Sequence, residues 1–422
     1  MKSKLLVIFI ILIFNFPGFA WSNHAGLTYI ILKNYWKTSP PSNVKAESFA
    51  NFLNKEKEGL KAVLNDADEY GSQLLPHCPK PDPSLVFHPE GIKKKEDLVP
   101  AFFRALRVFP HHKPSLYIQS VLSPPQKNPS KELSNITTLK NQGKMVNEKF
   151  VSLTEGASVS PLDIVATAVD EPDYDLDFYL FTDNDSEFGK IYGFGTQPFG
   201  DPRFEYSSQA PFHMGFYHES SITLTVASFL KKTYPEYRIY QFTKLAEYAF
   251  KTGHPYWGYR FSGWALHYIQ DLTQPYHSSV LPRVGFGKRM GVQILSMLGF
   301  DSPKSNMVEY VVNRHTLIEE YQYYLIRDIL LNQKENHPVY TALSSAPGKS
   351  LDVWKDFTYI RDVVSKEAYT TAEDADLEIE HLDIIKYESL YPVEHPLNGI
   401  IAKLLSNTSY HTRVYAKTFF KP

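Results

Sequence analysis

The segment WALHYIQDLTQPYH, residues 264–277, sets an imidazole and a carboxylate, His267 and Asp271, four positions apart. On an α-helix that spacing puts both on one face, about 6 Å apart along the axis, which suits two ligands closing on one metal ion. The rest of the segment is aromatic and apolar, so a polar pair there must find partners or cost several kcal/mol. A mutually satisfied His–Asp pair is the plainer alternative. Gln274-Pro275 disfavours further helix, and His277 then falls beyond the helix end, able to turn back toward the same point. NRHTLIEE repeats the device with His315 and Glu319. Imidazole and carboxylate ligands together suit Zn²⁺ best among the common metals. Most other histidines, such as His77, His88, His111 and His112, sit in Pro-rich or polar contexts and read as solvated or locally hydrogen-bonded side chains.

Helices must position these groups. Apolar residues recur at helical spacing over 45–64, 220–232, 237–252, 256–273 and 307–333, with more helix expected at 351–370, 372–387 and 397–406. SPLDIVATAVD predicts a short helix over 160–170 with Ser160 as N-cap and Pro161 at its first position. Strands do not alternate and no internal repeat is present, so the expected fold is all-α. Residues 75–130 are dense in proline and read as mostly irregular, with one helical island, EDLVPAFFRALRVF. The expected organisation is an all-α domain over 21–340 carrying a Pro-rich insertion at about 74–140, with a helical extension over 341–422 packed on the same domain.

The first twenty residues read as an address. Two lysines, the apolar run LLVIFIILIF and the small residues Gly18 and Ala20 make a secretory signal peptide, which predicts export and a mature chain beginning at Trp21. No later segment is long enough to span a bilayer. Cys78 is the only cysteine among 422 residues, so no disulfide can form within the chain. A formal charge of −2 and a pI near 6.7 give no global signature of a nucleic-acid-binding surface.

Trp21 at the cleavage point, the H-x3-D-x5-H pattern of WALHYIQDLTQPYH and the later H-x3-E together resemble the zinc-dependent phospholipase C and single-strand-specific nuclease superfamily. In that family the fold is all-α and three zinc ions sit in a cleft. One ion is held by the α-amino and carbonyl groups of the mature N-terminal Trp and by a nearby His. The resemblance implies that Trp21, His24 and Asp271 hold one zinc and that His277, His315 and Glu319 hold a second. The third would take His267, a bridging Asp271, Asp170 and His213. Asp66 or Asp68 is the alternative to Asp170, and His218 the alternative to His213. The resemblance also gives Asp170 a catalytic part, orienting or deprotonating the attacking water.

Such a cluster fits phosphate-ester hydrolysis, because metals neutralise non-bridging oxygens, acidify water and stabilise the leaving oxygen. Phospholipid is the first expectation for substrate, with peripheral membrane contact. The aromatic segments YPEYRIYQF and HPYWGYRFSGW could pack on a choline headgroup or stack on bases, so a single-strand-specific nuclease is the alternative. A secreted protein with purely structural zinc is the alternative of a different class.

Overall fold

The computed structural model describes residues 21–140, 142–200, 205–285, 302–345, 354–380 and 395–420, with Gly287 and residues 350–352. The predicted signal peptide and residues 381–387 of a predicted helix lie outside the described residues. The architecture is all-α. In chain order α1 (His24–Tyr35), α2 (Phe49–Leu74) and α3 (Leu98–Leu106) precede α4 (Pro161–Ala168) and three short helices, α5 (Glu187–Ile191), α6 (Ala210–His213) and α7 (Ser221–Val226). The long pair α8 (Pro235–Lys251) and α9 (Pro255–Leu272) follows, then α10 (Pro275–Ser278), α11 (Ser302–Leu331), α12 (Pro338–Ser344), α13 (Lys366–Glu380) and α14 (Leu397–Phe419). Two short antiparallel ladders accompany them, Val44–Lys45 with Ser158–Val159 and Tyr117–Gln119 with Phe150–Ser152.

Proline punctuates the framework. α4, α8, α9, α10 and α12 each carry Pro in the first turn, where its missing N–H would have no helical partner and its φ is already suitable. Between α8 and α9 the chain reverses at Gly253, whose φ of 84° is the left-handed conformation that glycine adopts without strain. α9 is buried from Tyr256 to Leu272 and packs against α8, α4 and α14.

Two large apolar clusters and a smaller one, of Tyr117, Leu133, Ile136, Met145, Phe150 and Tyr174, build the interior among the described residues. The larger joins α2, α3, α4, α8, α9 and the end of α14, and Leu85, Phe87, Phe102 and Phe103 from the Pro-rich stretch belong to it. The second joins Trp21, Leu27 and Ile30 to Leu317, Ile318 and Ile326 of α11 and to Leu397, Ile401 and Leu404 of α14.

Several boundaries differ from the sequence expectation. α2 runs on to Leu74 because Leu64, Ala67 and Gly71 continue its buried stripe. The helix expected over 220–232 stops at Val226 and gives way to a 3-10 turn, Ser228–Lys231; nothing in α7 is buried, and without a packed face so short a helix gains little. The helix expected over 351–370 begins only at 358, passes through a π-helical turn at Ile360–Ser365 and enters α13. α14 extends past 406 to Phe419, since Tyr410, Val414 and Tyr415 are buried too.

Candidate metal centre

The site begins at a contact between α4 and α9. A Cβ on Gly263 would lie 2.6 Å from the Ala168 Cβ and 3.1 Å from the Val165 carbonyl oxygen, so the absent side chain lets the two helices meet. One turn further along α9, His267 Nδ1 donates to the Val169 carbonyl at 2.7 Å. That bond turns Nε2 of His267 inward as an acceptor or ligand atom. The same device fixes His277, whose Nδ1 donates to the His213 carbonyl at 2.9 Å, and His24, whose Nδ1 donates to Gln270 Oε1 at 2.8 Å. Gln270 is itself oriented by Thr28 of α1 and Thr412 of α14.

Among the described residues three groups of ligand atoms result: His24, His267 and Asp271; Asp173, His213 and His267; and His277, His315 and Glu319, the ligand atoms of each lying within 4.8 Å of one another. Asp271 stands at the crossing point. Its carboxylate lies 3.2 Å from His24 Nε2, 2.8 Å from His213 Nδ1 and 3.3 Å from His267 Nε2. In the third group Nε2 of His277 and of His315 are 3.1 Å apart, and Glu319 Oε1 is 2.5 Å from the latter. His24 Nε2, His213 Nε2, Asp271 Oδ1 and Glu319 Oε1 are buried and make no hydrogen bond of regular geometry. Each faces another candidate ligand or a neighbouring carboxylate, His24 Nε2 with Asp271 Oδ1 at 3.2 Å, His213 Nε2 with Asp177 at 3.4 Å and Glu319 Oε1 with His315 at 2.5 Å. Buried polar atoms so incompletely satisfied are costly, and here they sit on N and O ligands suited to zinc. The residues therefore fit the ion.

The acidic turn after α4 is clamped from α8 and α9. Glu171 accepts from Arg260, from Trp264 at 2.5 Å and from Tyr117 at 2.6 Å, while Asp177 accepts from Arg238 at 2.8 Å and Tyr268 at 2.6 Å. This holds Asp170 and Asp173 at the site. Asp170 already accepts from the Ala25 amide at 2.9 Å and from Gln119 at 3.0 Å. The carboxylate grouped with His213 and His267 is Asp173, 3.9 and 3.7 Å from their ring nitrogens. Asp173 and Asp177 carry no spacing pattern in the sequence beyond the dense acidic run DEPDYDLD.

The other expected residues are placed as follows. Trp21 is buried with its indole donating to Thr273 Oγ1 at 3.1 Å, beyond the end of α9, so Trp21 and His24 both face the C-terminal half of that helix. Asp68 pairs with Arg107 and Tyr237, and Asp66 accepts from Tyr240, both away from the cluster. His218 donates to the Arg361 carbonyl at 2.7 Å. His213 belongs to one of the ligand groups and His218 to none. Asp170, expected as a ligand, belongs to none of the groups, nor do Asp66 and Asp68, and Asp173 stands in its place because Asp170 is turned to the Ala25 amide and Gln119.

Charge is distributed unevenly. Burial opposes charge on His24 and His213, yet Asp271 for the first, and Asp177 with Asp271 for the second, hold them up at about 9 and about 10. Burial likewise opposes charge on Asp271, and the imidazoles of His267, His213 and His24 hold it well below the usual carboxylate range. In the third group burial pushes His277 down to about 3 and His315 down to about 4, and pushes Glu319 well up. Burial also lifts Asp170 to about 7, against the pull of His24 and the Ala25 amide. An open cleft leads to Asp170 and Asp173, its walls formed by Ser22, Leu139, Lys144, Met145, Tyr174 and Tyr323 among others.

No protein-family model matches the chain, and no curated protein matches it. Among solved structures it is similar to the alpha-toxin of Clostridium perfringens, isolated from avian strain SWCP, at 17% identity with a TM-score of 0.29. The match covers 62% of this chain and 55% of the toxin chain. So distant a likeness carries neither activity nor substrate across. Among the described residues no helix is long and apolar enough to cross a membrane.

Proposed function

We propose that the chain is an exported zinc-dependent phosphodiester hydrolase of the phospholipase C type, holding two to three ions. The observation that carries the reading is the convergence of His24, His213, His267, Asp271, His277, His315 and Glu319 as candidate ligands in a buried cluster, four of them with an atom that makes no regular hydrogen bond, next to a cleft. His267 presents only Nε2, which belongs to two of the three groups, so a third ion needs further ligands. The main-chain groups of Trp21 are the proposed source.

When bound, zinc supplies Lewis acidity toward water and toward the phosphoryl oxygens. The chain supplies the rest. Asp170, tethered by the Ala25 amide and Gln119 and poised near neutrality, is placed to take a proton from water in the cleft. Lys144 brings positive charge to the same cleft; its Nζ lies 2.5 Å from Glu320 and 4.6 Å from the centre of the Tyr323 ring. Leu139, Met145, Tyr174 and Tyr323 give the walls apolar surface, which favours a phosphodiester with an apolar part over a free sugar phosphate. Contact with a membrane surface belongs to the same proposal. Zinc-reconstituted protein assayed side by side on phosphatidylcholine and single-stranded DNA tests it: preferential hydrolysis of the lipid is expected, hydrolysis of DNA alone would make it a nuclease, and inactivity on both with zinc bound would leave a structural metal.

A further inference from the structure

We infer that Asp376, on α13, is a positioning residue for the His277–His315–Glu319 group, an inference that rests on the metal-binding reading above. Asp376 is buried, and its two oxygens go to two different elements. Oδ1 accepts from the Tyr276 hydroxyl at 2.8 Å; Oδ2 accepts from Arg314 at 2.5 Å. Tyr276 and Arg314 are the residues immediately before His277 and His315. One carboxylate thus spans α10 and α11 at the point where the two imidazole nitrogens stand 3.1 Å apart.

The span matters because α10 is only four residues long and one helical turn does not hold itself. Pro275 separates it from α9, and its orientation is fixed by the Gln274 side chain, the His213 carbonyl and the Tyr276 phenol, together with the Gly215 amide on the His277 carbonyl and Ser278 on Leu272 and Ser365. Of these contacts the Tyr276 phenol is the one that reaches α13 beside α11. The Tyr276 ring also lies 5.7 Å from the His315 ring, so a shift of Tyr276 disturbs both ligands. Glu380, one turn along α13, completes the frame by pairing with Arg314 at 3.2 Å and with Arg283. Arg283 is 3.7 Å from Asp376, so two carboxylates face two guanidinium groups, the buried Asp376–Arg314 pair being flanked by Arg283 and Glu380 on the exposed side. By this account the C-terminal segment is part of the metal site's frame.

The test is metal affinity. Full-length Asp376→Asn and Tyr276→Phe proteins are titrated with cobalt(II), followed by visible absorption, and with zinc in competition, alongside far-UV circular dichroism and a His315→Ala control. The expected result is that one ion binds on the order of tenfold more weakly in Asp376→Asn, the scale of losing an outer partner of a ligand. The other sites should keep their affinity, helix content should hold, and excess zinc should restore hydrolysis. Tyr276→Phe, which keeps the ring and removes only the hydrogen bond, shows a smaller shift in the same direction and carries the test if Asp376→Asn does not fold. If His315→Ala loses an ion while both variants bind every ion as the wild type does, the inference is overturned and the metal reading stands. If His315→Ala loses none, both fall.

Discussion

Replacing Asp271 with Asn removes negative charge where three imidazoles meet, and the consequence can be worked out for the metal-free protein. Burial disfavours a charged His24, yet Asp271, with smaller help from Asp173 and Asp170, raises it from 6.5 to about 9. At about 1.4 kcal/mol per unit that is a differential interaction of roughly 3 kcal/mol. A folded-state value above the unfolded one gives stability that is whole below pH 6.5 and lost as pH rises through about 9. His213, raised to about 10 by Asp177 and Asp271 against its burial, adds to the same loss. His277 and His315 are uncharged throughout this window, and the upward-shifted Asp170 and Glu319 act in the same direction in both proteins. Urea unfolding of metal-free protein near pH 6.5 and near pH 10 is the assay. Wild type should lose stability between the two, and Asp271→Asn should lose less by roughly 3 kcal/mol or more. Parallel pH profiles would refute the claim that Asp271 organises the cluster. With zinc restored, Asp271→Asn should cost several orders of magnitude in hydrolysis and Glu319→Gln less, because Asp271 touches three candidate ligands and Glu319 serves one group.

Zinc loading at neutral pH should release about two protons, from His24 and His213, with more from Glu319 and none from His277 or His315; calorimetry in buffers of different ionisation enthalpy counts them, and zero release would contradict the charge pattern. Lys144→Gln should raise the KM for an anionic diester roughly tenfold, the scale of one charged hydrogen bond, while metal content stays constant; an unchanged KM removes Lys144 from the substrate cleft. A protein retaining one residue before Trp21 should lose an ion, since the α-amine becomes an amide. Full metal content and activity in that protein would exclude the N-terminal ligand.

What could be read from sequence was set by local spacing. His267 with Asp271 and His315 with Glu319 obey the helical i, i+4 rule, and α9 and α11 form there. His277 was reachable because Pro275 marks a break. Asp173 was not, because its position depends on Arg260, Trp264 and Arg238 clamping an irregular turn from distant helices. α7 shows the reverse case: SITLTVASFLKKT has helical periodicity, yet no residue of α7 is buried and the helix breaks. The part played by Asp376 was out of reach as well, since its partners Tyr276 and Arg314 lie 100 and 62 positions away.

These histidines and carboxylates are proposed here as zinc ligands. Metal analysis of the purified, zinc-reconstituted protein, joined to anomalous diffraction at the zinc edge, tests the proposal most directly. The account predicts two to three ions per chain, one between His277, His315 and Glu319 and the others around Asp271 and His267. Less than one equivalent, or zinc bound anywhere else, would contradict it.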